Sequence, residues 1–221
     1  SVDLVAEDDT GLSNTDNLTF DEEGRLLVEA DLTDFADEGV AILDAAEASE
    51  GETAGAGVQV FVSGQSVGFA EPVDGTNNDL FEFVFAPGDL AEGVNYVKAA
   101  VTIVDGQTPN VSGRTQLSDP LVLTLDTSAP GAPLIPDLLP SSDTGASDSD
   151  NITSDVTPTL ALSGYGSFWR LERGGDQVSA DFATGNMFTD NPLADGVHPY
   201  VLFAVDPAGN ISEGSDPLEV T

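Results

Sequence analysis

The chain has 221 residues, no cysteine, and 40 Asp and Glu against 5 Lys and Arg, which gives a formal net charge of −35 at pH 7. This charge excludes nucleic acid and anionic membrane surfaces as partners, because phosphate binding needs clustered Lys and Arg. The lack of cysteine excludes disulfides and zinc-thiolate sites, so packing and oxygen-ligated cations remain as stabilising devices. A hydrophobic fraction of 40% still provides a core. The length suits two domains of about 110 residues each.

Short apolar runs bounded by Gly, Pro, Asn and Asp predict β-strands along the chain. In chain order they are 25–30, 58–63, 80–86, 94–104, 120–125, 158–163, 167–173, 178–183, 197–205 and 216–220. Many short strands with little helical periodicity favour an all-β protein made of two sandwiches. No run approaches the roughly 20 apolar residues of a membrane-spanning helix. Residues 1–20 are acidic, unlike a secretory signal, so we expect an internal segment of a longer secreted protein, without membrane insertion.

The sequence contains a tandem repeat. Residues 8–19 reappear as 142–153, with Asp, Thr, Gly, Ser, Asp, Asn and Thr identical at matching places. Two further blocks keep the same order: Leu90-Ala-Glu-Gly-Val94 matches Leu193-Ala-Asp-Gly-Val197, and Ser118-Asp-Pro-Leu121 matches Ser215-Asp-Pro-Leu218. The repeat predicts two domains, 1–126 and 127–221, joined by a short linker that two prolines stiffen.

The first copy is longer than the second, and most of its extra residues lie early. Residues 31–57, rich in Ala, Glu, Asp and Gly, are therefore predicted to be an insertion in the first domain. Within it, residues 35–47 are expected to form a short helix or an acidic loop.

The repeated block supplies oxygen ligands of the kind that Ca²⁺ prefers, beside a Gly and a Ser that allow a tight turn. Its candidate ligands are Asp9, Asp16, Asn17, Asp143, Asp150 and Asn151. A second cluster is predicted to close each copy, formed by Asp105 with Asn110 and by Asp206 with Asn210. The alternative is that these residues only form Asx turns and keep the surface soluble. Neither a helix-loop-helix calcium loop nor a glycine-rich nonapeptide repeat is present in the sequence.

These blocks resemble the bacterial immunoglobulin-like repeats of giant biofilm adhesins, which include the repeats-in-toxin (RTX) adhesins of type I secretion. The resemblance rests on Asp143-Thr-Gly-x-Ser-x-x-Asp-Asn-Ile-Thr153, Thr157-Pro-Thr159, Asp195-Gly-Val-His198, Asp206-x-x-Gly-Asn210-Ile-Ser212 and the linker Leu125-Asp-Thr-Ser-Ala-Pro130. It covers nearly all of the second copy. The first copy departs from it at Asp105-Gly-Gln-Thr-Pro-Asn110 and in the 31–57 insertion.

The resemblance implies two tandem immunoglobulin-like β-sandwich domains on the surface of a bacterium. They would act as a calcium-stabilised spacer that projects a ligand-binding region of an adhesin for adhesion or biofilm formation. It also implies that Asp126 in the linker shares a junction ion with the Asp105 loop. The implied partners are neighbouring immunoglobulin-like repeats of the same polypeptide, and we expect a monomer.

An enzyme is not expected, because the chain offers one His, no Cys and no credible serine triad. We expect His198 to be a packing or surface residue. The alternative function is a binding module for a surface carbohydrate or a protein, through the 31–57 insertion or through aromatic residues near Trp169. A single Trp on an early strand is more often a core residue than a binding platform.

Overall fold

The computed structural model describes residues 1–32, 35–36, 40–50, 53–74, 76, 79–106 and 111–221. The chain divides into two compact units, Ser1–Thr127 and Ser128–Thr221, which we call the first and the second sandwich. Nearly all regular elements are strands. The predicted class, all-β with two immunoglobulin-like sandwiches, is confirmed.

The first sandwich is built from one continuous ladder of strands. They are β1 (Val2–Leu4), β2 (Leu18–Thr19), β3 (Arg25–Glu29), β4 (Ala54–Val62), β5 (Gln65–Pro72), β6 (Leu80–Val84), β7 (Gly93–Asp105), β8 (Val111–Arg114) and β9 (Leu121–Leu125). Their order is β1-β3-β6-β5-β4-β7-β9-β2, with β8 beside β7. Strand β5 pairs with β4 over most of its length and with β6 through Glu71 and Pro72. It therefore connects the two layers.

Alternation of apolar and polar residues places the core of the first sandwich. Phe81, Phe83 and Phe85 are buried, whereas Val84 between them is 55% exposed. Such a period of two is what a strand with one buried face requires. The predicted strands 25–30, 80–86, 94–104 and 120–125 are confirmed to within two residues at each end.

Strand β4 begins at Ala54, inside the predicted insertion 31–57, whose bounds stay a prediction. Residues 33–34, 37–39 and 51–52 of the insertion lie outside the described residues. Residues 35 and 36, at the start of the predicted 35–47, are helical, and a helix whose bounds are described, α1, begins after Asp44 and runs over Ala45–Glu50. The reason is a local cap: the carboxylate of Asp44 accepts a hydrogen bond from the Glu47 N–H at 2.8 Å.

Two glycines of β4 let the insertion pack on the outer face of the sheet. A Cβ atom at Gly55 would lie 2.6 Å from the Ala41 carbonyl oxygen, and one at Gly57 would lie 3.0 Å from the Ala48 Cβ. Leu43 and Ala48 are buried there against Val104. The described part of the insertion is thus a second, small apolar layer.

The second sandwich consists of two separate sheets. Its strands are β10 (Asp137–Leu138), β11 (Thr159–Ala161), β12 (Phe168–Arg173), β13 (Asp176–Gln177), β14 (Met187–Thr189), β15 (His198–Val205) and β16 (Leu218–Val220). One sheet has the order β10-β11-β14 and the other β13-β12-β15-β16. The core between them contains Leu160, Trp169, Leu171, Tyr200 and Leu202.

The predicted strand 178–183 is wrong. Strand β13 ends at Gln177, before this stretch, and the bridge between Trp169 and Ala183 is the pairing found among residues 178–183. The physical reason is that a side chain takes the place of a backbone acceptor. The Leu171 N–H donates to the hydroxyl of Ser179 at 2.9 Å and not to a strand carbonyl.

A buried polar group connects the two sheets of the second sandwich. Asp190, which follows β14, accepts hydrogen bonds from the Tyr200 hydroxyl at 2.7 Å and from Arg173 Nη1 at 2.5 Å. The Asp190 side chain is 1% exposed. Burial raises the pKa of the Tyr200 phenol above its usual value, and the bond to Asp190 raises it further. Arg173 and Tyr200 belong to β12 and β15, so the carboxylate ties one sheet to the other.

Candidate metal centre

The repeated block folds in the same way in both sandwiches. Asp9 Oδ2 accepts a hydrogen bond from the Asn17 N–H at 3.1 Å, and Asp143 Oδ2 accepts one from the Asn151 N–H at 3.0 Å. Both asparagines adopt the left-handed region, with φ of 56° and 59°. Asparagine tolerates this region better than most residues. The turn therefore brings the amide of each Asn onto the carboxylate eight residues before it.

Each copy leaves buried oxygen atoms without a donor. Within the described part of the chain, Asp9 Oδ1, Asp143 Oδ1 and Asn151 Oδ1 are buried and have no hydrogen-bond partner. Asp9 is 5% exposed and Asp143 is 4% exposed. An unsatisfied buried acceptor costs about 1–3 kcal/mol, and more if it is charged. A cation at this position would remove that cost, so these residues fit a hard metal ion.

Each motif also contains a second carboxylate. Asp16 Oδ1 and Asp150 Oδ1 accept hydrogen bonds from the N–H of Leu18 and Ile152, both at 3.2 Å. Burial raises the pKa of Asp9, and the negative charge of Asp16 raises it further, whereas the Asn17 N–H lowers it. The first motif thus holds two carboxylates that repel each other, which a divalent ion would relieve.

Glycine is needed at the centre of the second motif. A Cβ atom at Gly145 would lie 2.6 Å from the Ile152 carbonyl oxygen and 3.4 Å from Asp150 Oδ1. Any side chain there would push these two oxygens away. The glycine therefore keeps a carbonyl and a carboxylate close to the turn, as a site with several oxygens requires.

Threonines that the sequence analysis missed hold the loop in shape. The Thr19 hydroxyl donates to the Asp8 carbonyl at 2.7 Å, and Thr153 makes the same bond to the Ser142 carbonyl. Thr10 and Thr144 each accept a backbone N–H at 2.9 Å, from Phe20 and Ser154 respectively. All four are identical between the copies, and that identity was the available signal.

The second predicted cluster is different, because its residues satisfy each other. Asp206 Oδ1 accepts the Asn210 N–H and Asp206 Oδ2 accepts the Asn210 side-chain amide, both at 2.9 Å. The Asp206 N–H in turn donates to the Asn210 carbonyl at 3.1 Å. Each oxygen of the Asp206 carboxylate thus accepts one hydrogen bond, and the metal-binding role of Asp206 and Asn210 stays a prediction. Asn110, the partner predicted for Asp105 in the first copy, lies outside the described residues.

The structure separates Asp105 from Asp126. Asp105 ends β7 and pairs with Ala54, whereas Asp126 follows β9, whose last residue Leu125 pairs with Gly93 at the opposite end of β7. Strand β7 runs from Gly93 to Asp105. At 3.3 Å per residue, its two ends lie roughly 40 Å apart. The shared ion expected for Asp126 and the Asp105 loop is therefore wrong within this sandwich. Asp126 lies instead beside the first motif, where its N–H donates to the Thr19 carbonyl at 2.8 Å.

Carboxylates alone do not complete a site. Among the described residues, no group of three or more acidic or imidazole side chains lies close enough to hold a metal. A bound Ca²⁺ would therefore draw on the Asn side chain, backbone carbonyls and water as well, which is usual for this ion.

Trp169 is too deeply buried to serve as an aromatic binding platform for a ligand. Trp169 is 4% exposed, and its ring packs edge-on against Tyr165 and Phe188. Its Nε1–H donates to the Gly185 carbonyl at 2.7 Å. His198 is half-buried, and its Nε2 lies 2.8 Å from the Ala194 carbonyl oxygen, so it is a packing residue as expected.

Comparison with protein families matches residues 129–221 to the bacterial Ig-like domain. The second sandwich is similar to bacterial Ig-like domains. Such domains are typically structural modules, and they are often extracellular or exposed on the cell surface. Assignment to the RTX adhesins stays a prediction.

Among solved structures, the fibronectin(III)-like modules of CbhA from Clostridium thermocellum match with a TM-score of 0.47 and 13% identity, over 100% of this chain and 93% of that chain. A likeness this weak carries no functional argument. A search of curated proteins found no match. In the described part of the chain, no helix has the length and apolar character to cross a membrane.

Proposed function

We propose that the chain is a calcium-stabilised spacer segment of a large bacterial surface adhesin. In this proposal it projects a ligand-binding region away from the cell for adhesion or biofilm formation. The observation that carries the proposal is the buried motif carboxylate oxygen without a hydrogen-bond donor, Asp9 Oδ1 in the first motif and Asp143 Oδ1 in the second, which Asn151 Oδ1 joins in the second motif. The match to a bacterial Ig-like domain supports a surface module.

Chemistry favours calcium over other metals. The oxygens come from carboxylates, an amide and backbone carbonyls, and the chain has no Cys and one His. Such oxygen sets suit Ca²⁺ with its flexible six- to eight-fold coordination, whereas Zn²⁺ and Cu²⁺ prefer nitrogen and sulfur. In the second sandwich Asp143, Asp150 and Asn151 would hold the ion, and in the first Asp9, Asp16 and Asn17.

The net charge supplies a second reason. A compact body with a formal charge of −35 repels itself, and bound divalent ions reduce that repulsion. A filled site stabilises the fold by about 3 to 4 kcal/mol when free calcium exceeds the dissociation constant by two to three orders of magnitude. We therefore expect metal-free protein to be markedly less stable.

The test is thermal unfolding of the full chain in chelator and then in millimolar calcium. Trp169 is the only tryptophan, so its fluorescence follows the second sandwich, while circular dichroism follows both. We expect calcium to raise both melting temperatures, and magnesium at equal ionic strength to raise them much less. Small-angle scattering should show a narrower distribution of chain dimensions in calcium.

Two matched variants locate the ion. Asp143→Asn keeps an acceptor for the Asn151 N–H but removes one charge, and it should abolish the calcium-dependent rise of the tryptophan transition. Asp206→Asn changes the carboxylate that Asn210 already saturates, and it should keep that rise. An unchanged response of Asp143→Asn, or no response of the wild type to calcium, would contradict the proposal.

A further inference from the structure

The outer face of β7 in the first sandwich carries exposed apolar side chains. Val97 belongs to the core. Side chains alternate along a strand, so Val94, Tyr96 and Lys98 share the opposite face. On β9, Val122 is paired with Tyr96, and cross-strand partners lie on the same face. Val94, Tyr96 and Val122 are each about half exposed. Neighbouring exposed apolar side chains of this kind often mark a binding surface.

Two cationic side chains border these residues. Lys98 is paired with Phe61 of β4, and the guanidinium carbon of Arg114 on β8 lies 4.8 Å from the centre of the Phe61 ring. Stacking holds the guanidinium by its flat side, and the N–H donors at its edges stay available to a ligand. We define the β7 patch as Val94, Tyr96, Lys98, Arg114 and Val122.

The cations of the β7 patch have no carboxylate partner in the described part of the chain. The sequence has 5 Lys and Arg against 40 Asp and Glu. Arg25, Arg170 and Arg173 each pair with a carboxylate. Lys98 and Arg114 form no such pair with any described residue. Both are therefore available to a carboxylate from outside the chain.

The strand faces around the β7 patch are uncharged. Their described outer residues are Gln59 and Phe61 on β4, Ser66 on β5, Ala100 and Thr102 on β7, and Thr124 on β9. The outer face of the opposite layer differs, because it contains Asp3, Glu29 and Glu82. Charges more than about 8 Å away are largely screened at physiological ionic strength. The repulsion of an anion by the acidic chain is therefore reduced at this patch.

The second sandwich lacks the patch. In the repeat, β15 corresponds to β7 and β16 to β9. Pro199 and Glu219 are paired across these strands, at the places of Tyr96 and Val122. The aromatic ring is lost there and a negative charge is present. Since the shared fold does not require these side chains, they are available for a function of the first sandwich alone.

A ligand of the β7 patch would bind through side chains. Strand β7 is paired with β4 along one edge and with β8 and β9 along the other, so its backbone cannot take up an added strand. The patch is also small, because a stable protein interface takes about 20–30 residues a side. A short stretch of a rigid polymer with carboxylates fits this surface better than a folded protein does.

We propose that the β7 patch binds an acidic polysaccharide, with a sugar ring on Tyr96 and uronate carboxylates on Lys98 and Arg114. A tyrosine offers a large, rigid and amphipathic surface at low entropic cost, and a sugar ring has an apolar C–H face to place on it. Arginine binds carboxylates through paired hydrogen bonds. Val94 and Lys98 lie roughly 13 Å apart along the strand, which is the length of a few sugar units. This binding is additional to the spacer function and needs no calcium.

Isothermal titration calorimetry of the full chain with a galacturonate oligomer tests the proposal. The buffer contains chelator, so that calcium cannot bridge the oligomer to carboxylates of the chain, and circular dichroism confirms that the chain is folded. The methyl ester of the same oligomer keeps the sugar rings and loses the charges. We expect the acid to bind, less tightly as salt is added, and the ester to bind at least about tenfold more weakly. Equal affinities, or no binding of the acid, would overturn the proposal.

Residues taken from the second sandwich locate the site. Val122→Glu introduces the charge of Glu219, and Lys98→Val introduces the side chain found at Val201. Each should weaken binding of the galacturonate oligomer by about tenfold or more. Val84→Glu is the matched control, because it adds the same charge at an exposed valine of the opposite layer, and it should bind as the wild type does.

Thermal unfolding checks that each variant is folded, and Lys98→Val decides alone if Val122→Glu is not. An unchanged affinity of Lys98→Val would contradict the assigned site. An equal loss in Val84→Glu and Val122→Glu would mean that net charge, and not the β7 patch, governs binding.

Other occupants of the patch would give different results. If a polyglutamate peptide of equal charge binds at least as tightly as the galacturonate oligomer, the patch is a site for an acidic protein segment and the proposal is wrong. It is also wrong if analytical ultracentrifugation shows a dimer that Lys98→Val dissociates, because the occupant is then a second copy of the chain. These measurements contain no calcium, so a failure of the proposed spacer function would leave their results unchanged.

Discussion

The residue before the motif aspartate is Asp8 in the first sandwich and Ser142 in the second. Asp8 Oδ2 accepts the Arg25 N–H at 2.8 Å and also binds the Arg25 guanidinium. Ser142 Oγ accepts the Thr159 N–H at 3.1 Å and donates to Asp155 Oδ2 at 2.9 Å. The accepted N–H lies 17 residues further along the chain in both cases. The same backbone N–H of the repeat is therefore bound by the side chain before the motif aspartate in both sandwiches. In the first sandwich that side chain is a carboxylate paired with Arg25, and in the second it is a hydroxyl that donates to Asp155.

The cores of the two sandwiches differ more. Alignment of the Leu90 and Leu193 blocks places Tyr200 opposite Val97, and both side chains are fully buried. Val97 sits in an apolar cluster, whereas Tyr200 shares Asp190 with Arg173. At this position the core of the first sandwich is apolar, whereas the second sandwich places the buried carboxylate of Asp190 between its two sheets.

Removing that carboxylate should have the largest effect. Asp190→Ala leaves Arg173 and Tyr200 without their acceptor, and breaking such a buried group typically costs about 3 kcal/mol or more. Urea unfolding followed by Trp169 fluorescence should show the loss in the second sandwich. The transition of the first sandwich, followed by circular dichroism, should not move.

Tyr200→Phe is the matched control, because it removes one hydroxyl and leaves the bond between Arg173 and Asp190. It should cost about 1 kcal/mol. If Asp190→Ala costs no more than Tyr200→Phe, the carboxylate does not tie the sheets together.

The next effect concerns the insertion, which only the first sandwich carries. Gly55→Ala places a methyl group 2.6 Å from the Ala41 carbonyl oxygen, so the backbone must shift at a cost of about 1–3 kcal/mol. We expect calorimetry to show a lower melting temperature for the first sandwich and an unchanged tryptophan transition.

Gly113→Ala is the control for this prediction. Its added methyl group would lie 3.9 Å from the nearest side-chain atom, Ile103 Cγ1, which is an ordinary contact. Equal melting temperatures for the two variants would mean that the insertion is not docked through Gly55.

The sequence was informative where a pattern was long or repeated. Strands with clear alternation, such as 80–86 and 94–104, were predicted to within two residues. The Ser118 and Ser215 blocks were found as repeats, but their role depends on long-range contacts. Ser118 Oγ accepts the Ala99 N–H and Ser215 Oγ accepts the Leu202 N–H, both at 3.0 Å. Each hydroxyl thus accepts the N–H of a residue on β7 or β15 in place of a carbonyl of a neighbouring strand.

Other features could not be read from local patterns. Strands β2 and β10 are two residues long, too short for any periodicity. The link between Asp190, Arg173 and Tyr200 joins residues from different sheets, and nothing in their spacing indicates it. For the candidate metal centre, the repeat identified Asp9 and Asp143, but which oxygens lack a donor is decided by burial. The distance between Asp105 and Asp126 follows from the length of β7 and its register with β9.

The smallest expected effect is a dependence of stability on pH that arises from Ser142 and Asp155. The Thr157 N–H and the Ser142 hydroxyl lower the pKa of Asp155. An acid whose pKa is lowered on folding stabilises the fold above its unfolded pKa, and this contribution is lost as the pH falls through the folded pKa. The first sandwich has no hydroxyl donor at this position, because Asp8 replaces Ser142. The effect should therefore be confined to the second sandwich.

In chelator, the Trp169-detected stability of the wild type should fall as the pH drops below about 4, the pKa of an aspartate in the unfolded chain, and Asp155→Asn should flatten this fall. Ser142→Ala, which removes one of the two donors, should flatten it in part. Asp176→Asn changes an exposed carboxylate on β13 and should keep the wild-type slope. The prediction fails if the stability of Asp155→Asn and that of Asp176→Asn fall equally steeply with decreasing pH. In that case the bond between Ser142 and Asp155 has no consequence for stability, and the residue at position 142 matters only through its hydrogen bond to the Thr159 N–H.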